Sequence, residues 1–239
     1  MEMHILKKKS FSERKNTIMK RQVDLVLIGT MDSSMTQNDV AFGTSGLRGL
    51  ASHLSGAETR RYVSAFLAHL LGGGRARVGD PLFVGRDLRA SSPAIAADCA
   101  TAIAAAGLTP VDCGELPTPA LALHAGTHGG GAIMVTGSHI PAERNGLKFY
   151  TPDGEIDKAD ELEILRLAGV ISVPAAAHTI TQMADGLGAY VKRYEGLLPA
   201  AIFAGRRFGI YEHSSVSRNL LLPLLSGYGA TCVALGRAD

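Results

Sequence analysis

The chain has 239 residues, 46% of them hydrophobic and 19% charged, with 28 glycines, no tryptophan and a formal net charge of +2. That is ample for a sizeable core in one or two domains, and the charge gives no sign of a nucleic-acid binder. No apolar run reaches the roughly 20 residues a bilayer requires, so the chain reads as cytoplasmic, without a membrane partner.

Residues 1–22 hold seven Lys or Arg against two Glu, a local +5, which leaves 17 basic and 20 acidic groups in the rest. Residues 1–39 therefore read as a solvated basic extension, part of which lies upstream of an alternative start at Met31 or Met35. The short apolar run 23–28 is broken by Asp24 and lacks the length and cleavage pattern of an export signal. Residues 56–71 place Val63, Phe66, Leu67 and Leu70 at helical spacing, and Gly72-Gly73-Gly74 stops the helix. A strand is expected over 81–84. Ser91-Ser92-Pro93 supplies a cap and a first-turn proline for a helix over 94–106, closed by Gly107 and followed by a strand over 108–113. Pro117 and Pro119 open a short helix running to His124. Strands follow over 132–135 and 147–150, a turn at Asp153-Gly154, and a helix over 157–167.

Residues 173–178 read as a linker, and a second domain is expected to begin near Thr179. Its elements are a helix over 188–198, a strand over 208–211, a helix over 217–225 and a strand over 230–235. The fold class is α/β: a mixed-sheet first domain over 40–170 with helices on both faces, then an incomplete second α/β domain over 179–239. Cys99, Cys113 and Cys232 are odd in number and widely spaced, which suits buried thiols better than disulfides or zinc. The histidines offer no pair suited to a metal.

The chemistry-bearing stretch is 131–150. A short buried strand is followed by small residues that turn the chain and present Ser138 at the strand's carboxyl end, where open α/β sheets bind ligands. His139 is adjacent and Lys148 lies ten residues on, a pattern suited to covalent phosphoryl transfer. Thr136-Gly137-Ser138-His139-Ile140-Pro141, followed by Asn145-Gly146-Leu147-Lys148, resembles the phosphoserine loop of the α-D-phosphohexomutases, with Ile140 standing where that family more often has Asn. Phe42-Gly43-Thr44-Ser45-Gly46-Leu47-Arg48-Gly49 and Val84-Gly85-Arg86-Asp87-Leu88-Arg89 fall where the family has its other front-portion motifs. The likeness covers residues 40–239 and only the front portion of family members.

The resemblance implies that Ser138, as phosphoserine, exchanges a phosphoryl group between O1 and O6 of a hexose phosphate through a hexose bisphosphate, most in the manner of a phosphomannomutase. Phosphoglucomutase and phosphoglucosamine mutase are the alternatives within the family. It gives Lys148 the role of proton donor or acceptor and Arg48 that of a cation near the phosphoserine. His139 positions the serine, and Arg86 and Asn145 are further phosphate-binding candidates. Thr44 and Ser45 either cap a helix or bind phosphate. The resemblance also implies Mg²⁺, held by the phosphoserine and an Asp-Gly-Asp-x-Asp-Arg loop. No such loop occurs in the sequence, so Ser138, through its phosphate, is the one metal ligand expected. The 239-residue polypeptide is accordingly expected to be an incomplete mutase with little turnover, the alternatives being a silent fragment or a module that binds sugar phosphates or a partner.

Overall fold

The computed structural model of the protein describes residues 39–43, 46–177, 179 and 181–237. The basic segment read over 1–39 lies outside these residues except for Asp39, which belongs to the fold. Asp39 accepts the Leu50 N–H at 2.9 Å and pairs with Arg144 at 2.9 Å.

The first sheet consists of β1 (Ala41–Phe42), β2 (Leu47–Leu50), β3 (Pro81–Arg86), β4 (Thr109–Glu115), β5 (Gly131–Val135), β6 (Arg144–Thr151), β7 (Gly154–Glu155) and β8 (Gln182–Met183). The strand order is β1-β2-β6-β5-β3-β4-β8, with β7 paired to β6. Strands β5, β3, β4 and β8 run parallel, whereas β6 is antiparallel to both β5 and β2. The helices are α1 (Ala51–Leu54), α2 (Ala57–Gly72), α3 (Ser92–Ala105), α4 (Thr118–Thr127), α5 (Lys158–Ala168) and α6 (Gly186–Tyr194).

The period-two alternation of strand side chains divides the core into two layers. Leu82, Val84, Ile133, Val135, Leu147 and Phe149 face α2, α3 and α5, where Phe66, Leu70, Ile95, Ile103 and Ile164 meet them. Phe83, Val111, Cys113, Ala132, Met134 and Tyr150 face the other way, toward Leu121 and Ala125 of α4. The central strands are thus covered on both faces, which explains why β5 reads Gly-Ala-Ile-Met-Val without a polar position. Cys99 and Cys113 are buried as expected and Cys232 is half-buried. Burial pushes both buried thiols up, Cys113 to about 12 with the neighbouring Asp112 adding to the effect.

The boundary expected at Thr179 needs correction. Gln182 and Met183 pair with Val111 and Asp112, extending the first sheet, and Leu187 and Tyr190 of α6 pack onto the α4 layer. The preceding segment is strapped down, since Pro174 O accepts from Arg60 Nε at 2.9 Å and Ala177 O from Thr101 Oγ1 at 3.0 Å. A proline- and alanine-rich stretch reads as a linker because its anchoring runs through its own carbonyls, which leave no mark in side-chain pattern. The second unit is smaller: β9 (Arg207–Tyr211) and β10 (Thr231–Leu235) form a parallel pair joined through α7 (Leu221–Gly227).

Helix α5 opens with a reciprocal cap: Asp157 accepts from the Ala159 and Asp160 N–H groups, and Asp160 accepts from the Asp157 N–H. The other oxygen of Asp160 ties α5 to α2, meeting His69 Nε2 at 2.6 Å and Arg75 Nη2 at 2.8 Å. Burial by itself would raise this carboxyl, but the hydrogen bonds from Arg75, His69 and the Asp157 backbone outweigh it and hold the group at about 2, below the ordinary 3.8. A depressed carboxylate stabilises the fold when ionised. Its contribution, on the order of 2 kcal/mol, is fully present above about pH 4 and lost as pH falls through about 2. Asp160→Asn is therefore expected to lower urea stability at neutral pH and to flatten the loss of stability between about pH 4 and 2; unfolding curves at several pH values measure both.

Candidate active site: the serine hairpin

Strands β5 and β6 form a hairpin whose connection, residues 136–143, carries Ser138. The register Val135↔Leu147 and the Thr136 N–H to Gly146 O bond of 3.0 Å close its base. Ser138 is exposed and holds φ at 53°, a left-handed backbone that L residues adopt only where surroundings enforce it. Asp87, just past the end of β3, provides that enforcement. One of its oxygens accepts from the Arg89 N–H at 3.0 Å and Ser92 Oγ at 2.6 Å. The other accepts from Thr136 Oγ1 at 2.9 Å and the Gly137 N–H at 3.0 Å, and pairs with Arg89 Nε at 3.3 Å. Thr136 Oγ1 in turn accepts the Ser138 N–H at 2.9 Å.

Arg89 completes the clamp from above. Its guanidinium donates to the carbonyls of Pro141 at 2.7 Å, Arg144 at 3.1 Å, Ile140 at 2.6 Å and Ser138 at 3.4 Å. It lies so close over the loop that a Cβ at Gly137 would stand 2.3 Å from its Cζ and Nε. Glycine at 137 is thus a requirement of close approach. The departure at Ile140 is harmless to this clamp because the residue contributes its carbonyl.

The sequence-predicted residues divide into groups. Ser138 Oγ and His139 Nδ1 are 3.2 Å apart, both exposed. Arg48 stands opposite Gly146 and Lys148 opposite Met134, so by alternation both cations lie on the α4 face of the sheet, leading toward the hairpin. A Cβ at Gly146 would meet Arg48 Cγ at 3.3 Å and Thr136 O at 3.1 Å. The missing side chain there lets Arg48 pass over β6 beside the strand that feeds Ser138. Among the described residues neither Arg48 nor Lys148 has an ion-pair partner. Thr44 and Ser45 lie outside the described residues; on either side of them, the Gly43 N–H donates to Gly46 O at 2.9 Å.

Two expectations need correction. Asn145 is wholly buried and cannot reach a substrate: its Nδ2 donates to Ser91 Oγ at 2.8 Å and Ser92 Oγ at 3.0 Å, and its Oδ1 accepts the Gly146 N–H at 2.8 Å. Those two serines, expected to cap α3, serve this network instead, and Ser91 makes no side-chain cap bond. Arg86 pairs with Asp112 at 3.0 Å and lines a separate cleft between α3 and β4, alongside Thr179 and Thr181. The residues that hold the serine loop, Asp87 and Arg89, lay in the same sequence segment. Parity was the available signal: Arg86 continues the Leu82-Val84 face toward α3, whereas Asp87 and Arg89 stand beyond the strand.

Among the described residues no three of His, Cys, Asp and Glu gather as a metal site. Asp87, the carboxylate beside the serine, has both oxygens filled. These side chains do not fit Mg²⁺ by themselves; a phosphorylated Ser138 would supply one oxygen.

The mixed α/β sheet thus offers an exposed serine in a left-handed turn at the end of a parallel strand. Residues 39–172 match the phosphoglucomutase/phosphomannomutase alpha/beta/alpha domain I family, and the chain belongs to that family. It is 51% identical over 207 residues to a phosphomannomutase of Sinorhizobium fredii (strain NBRC 101917 / NGR234), covering 83% of this chain and 43% of that protein. It is 40% identical over 207 residues to a phosphomannomutase of Salmonella muenchen, covering 86% and 42%. The crystal structure of a phosphoglucomutase/phosphomannomutase family protein from Burkholderia thailandensis superposes with a TM-score of 0.65 at 25% identity, over 81% of this chain and 43% of that one. The chain thus spans less than half the length of these relatives.

Removing the Asp87 carboxylate leaves buried donors, Ser92 Oγ among them, without an acceptor. Asp87→Ala is expected to destabilise the fold by about 3 kcal/mol in urea titrations. Gly137→Ala is expected to lose about 1–3 kcal/mol by displacing the Arg89 guanidinium.

Proposed function

We propose that Ser138 is the phosphoryl carrier of a phosphohexomutase of the phosphomannomutase type, acting on hexose phosphates and hexose bisphosphates. The observation that carries this reading is the exposed Ser138 hydroxyl held in a left-handed turn by the Asp87–Arg89 clamp. In the loading step the Oγ–P bond forms as the bond between that phosphorus and one sugar oxygen breaks. His139 Nδ1, at 3.2 Å, orients the hydroxyl and takes its proton as the Oγ–P bond forms, the ring proton being on Nε2 beforehand. The leaving sugar oxygen takes up a proton, for which Lys148 is the donor. Arg48 meets the negative charge that spreads over the transferring group. In the return step Ser138 gives the phosphoryl group to the other hydroxyl, whose proton passes to the deprotonated Lys148, and Ser138 recovers its own proton from His139.

Among the described residues these groups are not accompanied by a carboxylate set that would hold the magnesium whose charge neutralisation this chemistry would use. Two outcomes are expected. Incubation with mannose 1,6-bisphosphate should add the mass of one phosphoryl group to the protein, and Ser138→Ala should abolish the gain, both read by intact mass spectrometry. Interconversion of mannose 1- and 6-phosphates by the same polypeptide should be slow; a kcat in the ordinary enzyme range of about 1–10³ s⁻¹ would overturn that expectation.

A further inference from the structure

A cleft of about 410 Å³ opens in front of Ser138, lined by Asp87, Leu88, Arg89, Ala90, Ser138, Ile140, Ala142 and, from the second unit, Ser214. Its walls are the loops that follow β3, β5 and β9. Three strand carboxyl ends therefore converge on one space, the arrangement in which α/β sheets bind ligands, and its volume falls in the ordinary range of small-molecule sites.

The Ser214 wall is built into its unit. Glu212, 2% exposed, directly follows β9; its N–H donates to Leu235 O at 2.9 Å and its carboxylate accepts from Arg237 Nη1 at 3.0 Å. Arg237 also donates to Asn219 Oδ1 at 2.8 Å, and Ser215 Oγ accepts the Ser217 N–H at 3.2 Å. Anchored on both sides, Ser214 adopts φ 46° and is exposed. Among the described residues its hydroxyl has no hydrogen-bond partner. The cleft thus has a second serine in the same left-handed backbone region as Ser138, and this one is unengaged.

We infer that Ser214 is a substrate-contacting residue: its hydroxyl donates a hydrogen bond to a phosphate oxygen of the hexose phosphate or bisphosphate that occupies the cleft while Ser138 reacts. The inference rests on the Ser138 reading for the identity of the ligand. It adds that the second unit contributes a contact to the same substrate. The β9 loop then sets affinity, while the hairpin carries the chemistry.

The test uses the 239-residue protein and mannose 1,6-bisphosphate, with equilibrium dialysis on a Ser138→Ala background, so that binding is read without phosphoryl transfer. Ser214→Gly removes the hydroxyl and relaxes the backbone, whereas Ser214→Ala removes it and keeps the conformational demand. Both are expected to weaken binding by about tenfold, the worth of one hydrogen bond to a charged group. Both should also raise, by a similar factor, the bisphosphate concentration that half-saturates Ser138 phosphorylation in the parent protein, leaving the limiting rate little changed. Unchanged binding in both variants, or weakening in the alanine variant alone, overturns the inference even if Ser138 is phosphorylated normally. Absence of any binding by the parent protein also overturns it. Ser214-dependent binding without phosphorylation supports it while counting against Ser138 as the carrier.

Discussion

The carboxylate of Asp87 is the point on which the serine hairpin turns. A partly buried carboxylate is tolerated only when its lost hydration is replaced, and here backbone N–H groups, two hydroxyls and the Arg89 guanidinium replace it. Each of those donors belongs to a segment that must be placed: Gly137 and Thr136 at the base of the hairpin, Ser92 at the start of α3, Arg89 in the loop after β3. Satisfying one anion therefore fixes three pieces of chain. Arg89 extends the constraint by spending its remaining N–H groups on hairpin carbonyls. The unfavourable backbone of Ser138, φ 53°, persists because its neighbours are over-determined. A serine held in this way loses little further conformational freedom on reaching a transition state, which is the kind of preorganisation that lowers barriers.

The same network explains how a buried amide and the serine hairpin share one motif. Asn145 and Gly146 are adjacent, yet alternation sends them to opposite faces of β6. Asn145 looks inward, toward Ser91 and Ser92, and Gly146 lies beneath Arg48. Lys148, two residues further, shares the Gly146 face. One short strand thus anchors the fold with its odd position and carries the cationic side of the site with its even ones.

Much of this was legible in the sequence, and the reasons for the failures are specific. Apolar periodicity found α2, cap and stop signals found α3, and short apolar runs found β3, β4 and β5, because burial and chain ends leave local marks in the sequence. The position of Ser138 followed from small residues after a buried strand. What could not be read were contacts made through the main chain: the strapping of 174–177, the joining of β8 to β4, and the four carbonyls gathered by Arg89. Ser91 illustrates a different failure. Its local pattern is that of a cap, but a fully buried amide fifty-odd residues away needed a hydroxyl acceptor, and the long-range demand outweighed a local bond of about 1 kcal/mol.

The two walls of the cleft differ in how firmly they are held. The hairpin wall stands on a sheet whose central side chains are wholly buried on both faces. The wall that carries Ser214 stands on a two-stranded parallel sheet and the helix that joins its strands, where Ile210, Leu220 and Tyr228 are buried but Tyr211 is 70% and Leu235 49% exposed. Parallel strands draw their stability from cover on both faces, so this unit opens locally at a smaller free-energy cost than the first. A ligand bridging Ser138 and Ser214 would then do more to order the second wall than the first. Chemistry would be set by the rigid hairpin, and substrate affinity would carry the cost of fixing its softer neighbour.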